Sequence, residues 1–95
     1  MKAYVLHGVN DLRYDDIKIP ECPPGWAIVK VRAAGICSSD IARIFTKGTY
    51  HFPTIPGHEF SAEIVTVPEN KLGLKPGDIV TANPYFNCGH CYSCE

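Results

Sequence analysis

Two groups of side chains in this 95-residue sequence have the types and spacing of metal ligands. The first is divided between Gly35-Ile36-Cys37-Ser38-Ser39-Asp40 and Pro56-Gly57-His58-Glu59-Phe60. A catalytic zinc takes three protein ligands from cysteine, histidine and carboxylate, and keeps one position open for water or substrate. Cys37 falls where a strand gives way to a helix, and free N–H groups there favour a thiolate. His58 follows a Pro-Gly turn that fixes the backbone and exposes the ring. Spacing alone leaves a competing reading open, in which Cys37 is a buried structural thiol and His58 an ordinary loop residue.

The second group is the run Asn87-Cys88-Gly89-His90-Cys91-Tyr92-Ser93-Cys94. Its C-x-x-C-x-x-C spacing lets successive sulfurs converge at about 2.3 Å on a tetrahedral ion, and Gly89 eases the tight turn. A closed structural site needs a fourth ligand. His90 is available, but its place between two cysteines turns it away from them. Redox-active or free thiols are the competing reading. The odd total of five cysteines argues against a closed disulfide framework.

The elements that must position these residues are short, because eight glycines and eight prolines punctuate the chain. Strands are predicted over Met1 to His7, Leu12 to Ile19, Trp26 to Ala33, Phe60 to Val67 and Ile79 to Ala82, within a pattern of about six. The Trp26 segment is almost continuously apolar, which predicts a strand buried on both faces with Trp26 in the core. Ser38-Ser39-Asp40 offers N-cap side chains for a short helix through Phe45, and Lys47-Gly48 would end it. The fold class is therefore mostly β, a partly open barrel or sandwich with one short helix. No G-x-G-x-x-G and no complete β-α-β unit occurs, so no cofactor-binding residues are expected in this chain.

Gly35-Ile36-Cys37-x-Ser39-Asp40, Pro56-Gly57-His58-Glu59-Phe60 and Lys75-Pro76-Gly77-Asp78, in that order, resemble the zinc-dependent medium-chain alcohol and polyol dehydrogenase family. The resemblance spans essentially the whole chain and is greatest to galactitol-1-phosphate and sorbitol dehydrogenase-like members. It implies a GroES-like catalytic domain, of which residues 1–95 would be an incomplete N-terminal portion, with a structural-zinc lobe beginning at residue 88. It also implies that Cys37 and His58 hold a catalytic zinc, with Glu59 as a further ligand or a group beside the metal. Ser39 would relay the substrate proton. Cys88, Cys91 and Cys94 would hold a structural zinc, completed by a cysteine beyond Glu95. Another catalytic-zinc ligand, commonly a glutamate, would also lie further on, as would a Rossmann domain for NAD or NADP. The implied reaction is oxidation of a polyol or polyol phosphate to a ketose by a homo-oligomeric enzyme. The 95 residues alone are expected to be inactive. Ser38 departs from the family's usual glycine between the cysteine and the serine.

The resemblance to sugar-phosphate dehydrogenases gives Arg43 a role as a phosphate partner at the mouth of the site. Otherwise Arg43 and Lys47 form an ordinary solvated helix face. Tyr50 and His51 are candidates for the same cleft, and Phe52 for an apolar loop anchor. Two other classes compete with the enzyme. One is a zinc-stabilised β-domain without chemistry. The other is the zinc-free quinone-reductase-like branch of the same fold, against which Cys37, His58 and the cysteine run all count.

A net charge of −1 offers no footprint for nucleic acid or an anionic membrane. No apolar stretch approaches the roughly 20 residues of a membrane span, and Met1 to Leu6 reads as a strand instead of a signal peptide. The expected compartment is the cytoplasm.

Overall fold

The computed structural model describes residues 1–94. Five strands and one short helix form two separate sheets. The first is an antiparallel hairpin of β1 (Lys2–Gly8) and β2 (Asp11–Asp16). Asn10 turns it with φ 62°, a left-handed conformation that asparagine tolerates better than most residues. Cross-strand partners Tyr4 and Tyr14 pack with ring centroids 5.0 Å apart, while Val5 and Leu6 are buried.

The hairpin fastens two segments that carry the candidate site. Leu6 and Thr54 exchange backbone hydrogen bonds of 2.8 and 3.0 Å, which ties β1 to the loop leading to His58. At the turn, the Asn10 N–H donates to Ile44 O at 2.7 Å, and its side-chain amide donates to Phe45 O at 3.2 Å. Carbonyls near a helix end lack intrahelical partners, so these two bonds anchor the end of the helical segment.

The second sheet has the order β3-β4-β5, all antiparallel, with β3 at Ile28–Ala34, β4 at Phe60–Thr66 and β5 at Ile79–Val80. Between β3 and β4 runs α1 (Ser38–Ala42), continued by a wider π turn over Arg43–Lys47. Gly48 ends it with φ 72°. A Cβ there would stand 3.0 Å from Phe52 Cζ and 3.2 Å from Val9 Cγ2. Conformation and space both require glycine at that stop. The turn at Lys75-Pro76-Gly77-Asp78 forms as its sequence predicts. Asp78 accepts the Lys75 N–H at 3.0 Å, and Gly77 N–H donates to Ile64 O at 2.9 Å.

The mostly β class with one short helix and no closed barrel is what the structure shows. Several details differ from expectation. There are five strands among the described residues, not six, and β2 stops at Asp16 instead of Ile19. The segment from Trp26 is not buried on both faces: Trp26 is 66% exposed and Val31 56%. A continuous apolar run signals two covered faces, but no side chain of β3 is buried: Ile28 and Val29 are half-buried and Lys30 to Ala34 exposed. The buried apolar side chains are Val5, Leu6, Ile44, Ala62 and Ile64. A radius of gyration of 15.5 Å, against about 12 Å usual for this length, fits an open arrangement. No described helix is long and apolar enough to cross a membrane.

Candidate metal centres

The antiparallel pairing of β3 with β4 builds the first centre. Ala34 lies opposite Phe60, and one step further Gly35 N–H donates to Glu59 O at 2.7 Å. The residues leaving β3 and those entering β4 therefore meet at one end of the sheet. There, Cys37, His58 and Glu59 place one ligand atom each within 4.8 Å of one another. Gly35 permits this convergence, because a Cβ at that position would stand 3.0 Å from Glu59 Oε2 and 3.4 Å from its Cβ.

Cys37 occupies the N-cap position of α1, one residue ahead of the serines expected to cap it. Its own N–H donates to Asp40 Oδ2 at 3.0 Å. The Ser39 hydroxyl, then the Ser39 N–H and then His58 hold the Cys37 thiol below its ordinary range. Each donates toward the sulfur and so favours the thiolate, the form that binds metal.

Asp40 is the functional residue that sequence reasoning missed beyond its capping role. Its side chain is only 6% exposed, and its Oδ1 lies 3.5 Å from His58 Nδ1 and 3.4 Å from Arg43 Nη1. With Nδ1 turned toward a carboxylate, Nε2 is left as the metal-facing donor of His58, an arrangement common around ligating histidines. The signal for it was the motif itself, since an aspartate at the third helical position reaches back to the N-cap.

Ser39 sits in the wall of the cleft beside this centre, accepting a hydrogen bond from Arg43 Nη1 at 3.0 Å. The cleft has a volume of about 570 Å³ and includes Cys37, Asp40, His58, Pro84 and Tyr85 in its lining. A neighbouring cavity of about 630 Å³ shares Ser39, Arg43, Thr49 and Thr54 with it, and adds Lys47, Tyr50 and His51. Tyr50 and His51 thus do line the cleft region, whereas Phe52 packs over Gly48. Arg43 and Lys47, both exposed, are among the residues that line this space.

The second centre lies in the segment after β5. Cys94 Sγ is 3.6 Å from Cys88 Sγ and 3.4 Å from Cys91 Sγ, and all three lie within 4.8 Å of one another. Thiolates bound at about 2.3 Å around a tetrahedral ion stand about 3.8 Å apart, so little movement separates this arrangement from a ligand set. A short 3-10 turn over Tyr92–Cys94 and a 2.9 Å bond from Cys94 N–H to Cys91 O fold the loop. Hydrogen bonding from Cys91, then from the Gly89 N–H and Cys88, lowers the Cys94 thiol to about 7. His90 Nδ1 lies 2.7 Å from Cys88 O, so the ring is engaged with the backbone and is not among the converging donors.

Residues 23–95 match the alcohol dehydrogenase GroES-like domain, and the chain belongs to that family. Galactitol 1-phosphate 5-dehydrogenase of Escherichia coli (strain K12) is 41% identical over 99% of this chain and 28% of its own length. D-altritol 5-dehydrogenase of Agrobacterium fabrum is 39% identical over 84% of this chain and 24% of its own. The crystal structure of galactitol-1-phosphate dehydrogenase from Escherichia coli superposes with a TM-score of 0.86 at 36% identity, covering 99% of this chain and 28% of that one. The chain thus spans about a quarter of the length of these relatives.

Proposed function

We propose that residues 1–95 are the N-terminal portion of the catalytic domain of a zinc-dependent oxidoreductase. With NAD or NADP it would oxidise a polyol or polyol phosphate, of the galactitol 1-phosphate kind, to a ketose. The observation that carries this reading is the convergence of Cys37, His58 and Glu59 within 4.8 Å beside a cleft. A thiol, an imidazole and a carboxylate are the mixed donors that zinc accepts, so the residues present fit the ion. Cys88, Cys91 and Cys94 fit a structural zinc by the same criterion, in a lobe beginning at residue 88.

A zinc held by Cys37 and His58 would supply Lewis-acid chemistry toward a substrate hydroxyl, and NAD or NADP would supply the hydride acceptor. The work of this chain is to hold and orient. Cys37 and His58 supply ligands, with Glu59 as a third ligand or a carboxylate alongside. Asp40 fixes the ring of His58. Ser39, held by Arg43, takes the proton leaving the substrate hydroxyl and passes it to the solvated cleft. A cytoplasmic, reducing setting keeps the cysteines available as thiols. The nicotinamide site lies in a separate nucleotide-binding domain, and the chain on its own is inactive.

A chimera tests this directly. The chain is joined to the nucleotide-binding and remaining catalytic segments of the Escherichia coli galactitol 1-phosphate 5-dehydrogenase. The expected result is polyol-dependent reduction of NAD or NADP that disappears with Cys37→Ser. A folded, nucleotide-binding chimera whose turnover is the same with and without Cys37 contradicts the proposal.

A further inference from the structure

We infer that Cys91 and Cys94 form a redox modification site, at which a low-molecular-weight disulfide such as oxidised glutathione links the pair and the lobe gives up its zinc. This rests on the reading of Cys88, Cys91 and Cys94 as a zinc site and adds a way to empty it.

Proximity is the first argument. Cys94 Sγ lies 3.4 Å from Cys91 Sγ and 3.6 Å from Cys88 Sγ, so Cys91 is its nearer partner. Thiolates that share a tetrahedral ion stand about 3.8 Å apart and bonded sulfurs about 2.0 Å, and the Cys91–Cys94 separation falls between the two. The backbone suits both states. The Cys94 N–H donates to Cys91 O at 2.9 Å and closes a four-residue turn with its 3-10 segment. Such a turn keeps its end Cα atoms within about 7 Å, and disulfides span about 4.4–6.8 Å between theirs.

Access is the second. Cys91 is exposed and Cys94 half-buried, so a small disulfide meets Cys91 first and Cys94 is the resolving thiol. The Cys91 thiolate attacks one sulfur of the small disulfide, displaces the other as a thiolate and forms a mixed disulfide. Cys94 then attacks the Cys91 sulfur and displaces the second small thiolate. The two departing thiolates carry the two electrons that the pair has lost, and no other oxidant is needed. Sulfurs bonded to each other are no longer thiolates, the form that binds metal. Of the three cysteines in the lobe, only Cys88 then remains as a ligand.

Contrast with the remaining cysteines is the third. Cys22 Sγ donates to Trp26 O at 3.3 Å and Pro23 O at 3.9 Å, within its own turn. Cys37 is the one cysteine among the described residues that line its cleft, and it converges with His58 and Glu59 instead of a second sulfur. A small disulfide can form an adduct at either residue, but ring closure is confined to the lobe.

The test uses zinc-loaded chain carrying Cys37→Ser, so that the zinc measured is that of the lobe. Oxidised glutathione is added, released zinc is followed with a chromophoric indicator, and disulfides are mapped by mass spectrometry after proteolysis. The expected result is zinc release in equal measure to a Cys91–Cys94 link, with both reversed by dithiothreitol and added zinc. Adding Cys94→Ser is expected to halt the reaction at a glutathione adduct on Cys91, and adding Cys22→Ser to change neither the link nor the release. A link from Cys94 to Cys88 or Cys22 instead, or zinc loss without the Cys91–Cys94 link, overturns the inference. Zinc that stays bound while Cys91 and Cys94 remain free thiols overturns it too, and leaves the lobe a metal site. A chain that takes up no zinc before oxidation contradicts the lobe reading itself, and this inference falls with it.

Discussion

Asp40 shows how much a single side chain organises here. One buried carboxylate accepts the N–H of Cys37, approaches Nδ1 of His58 and meets the guanidinium that holds Ser39. Removing the charge while keeping the shape, as in Asp40→Asn, should weaken zinc at the first centre by about 10- to 100-fold, the usual scale for a residue that orients a ligating histidine. Zinc at the cysteine lobe should be unaffected, and competition with a chromophoric chelator measures both. At the lobe, the lowered Cys94 thiol has a pH consequence. Protons compete with metal for the sulfur, and Cys94 is largely thiolate above about 7. Zinc affinity of the lobe should therefore fall as pH drops through that value, by up to about tenfold per pH unit as Cys94 is reprotonated. An affinity unchanged between about pH 8 and about pH 6 would count against the lobe as a thiolate site. At this scale the convergence of Cys88, Cys91 and Cys94 was legible from type and spacing, whereas that of Cys37 with His58 was legible only through the family resemblance. The second role of Asp40 was not, because it depends on where His58 arrives from a distant segment.

The elements are short and owe their placement to a few long-range bonds. The β3–β4 pairing brings the two halves of the first centre together, and the β1–β2 hairpin holds the helical segment and the His58 loop through Asn10, Leu6 and Thr54. Gly48 is the tightest constraint in this arrangement. Gly48→Ala forces both a left-handed backbone and contacts near 3.0 Å, and should cost about 1–3 kcal/mol in urea unfolding. A cost within about 0.5 kcal/mol, ordinary for a surface position, would show that the Phe52 and Val9 contacts yield freely. Turn chemistry made these elements readable: Lys47-Gly48 and Lys75-Pro76-Gly77-Asp78 end or reverse the chain where their residues predict. Strand burial was less readable. The apolar run from Trp26 correctly signalled a strand but overstated its cover, since hydrophobicity reports what a strand can bury and not what lies over it.

At the scale of the whole molecule, the structure is an open half-shell. Two sheets of two and three strands enclose few buried side chains, while Trp26, Ile36, Leu72, Tyr85 and Phe86 are well exposed. Apolar surface of this extent favours association. The chain should sediment faster as its concentration rises, and a constant monomer coefficient would contradict that expectation. The mostly β class and the family membership were visible in the order of motifs. The division into two sheets was not, because no local pattern specifies which strands pair across the molecule.

Zinc per chain, measured by elemental analysis on metal-replete protein and on Cys37→Ser and Cys91→Ser variants, tests the two-centre assignment most directly. The predicted result is that each substitution removes the zinc of its own centre and spares the other. If Cys37→Ser leaves the zinc content unchanged, the Cys37–His58–Glu59 convergence is not a metal site and the proposed oxidoreductase chemistry falls with it.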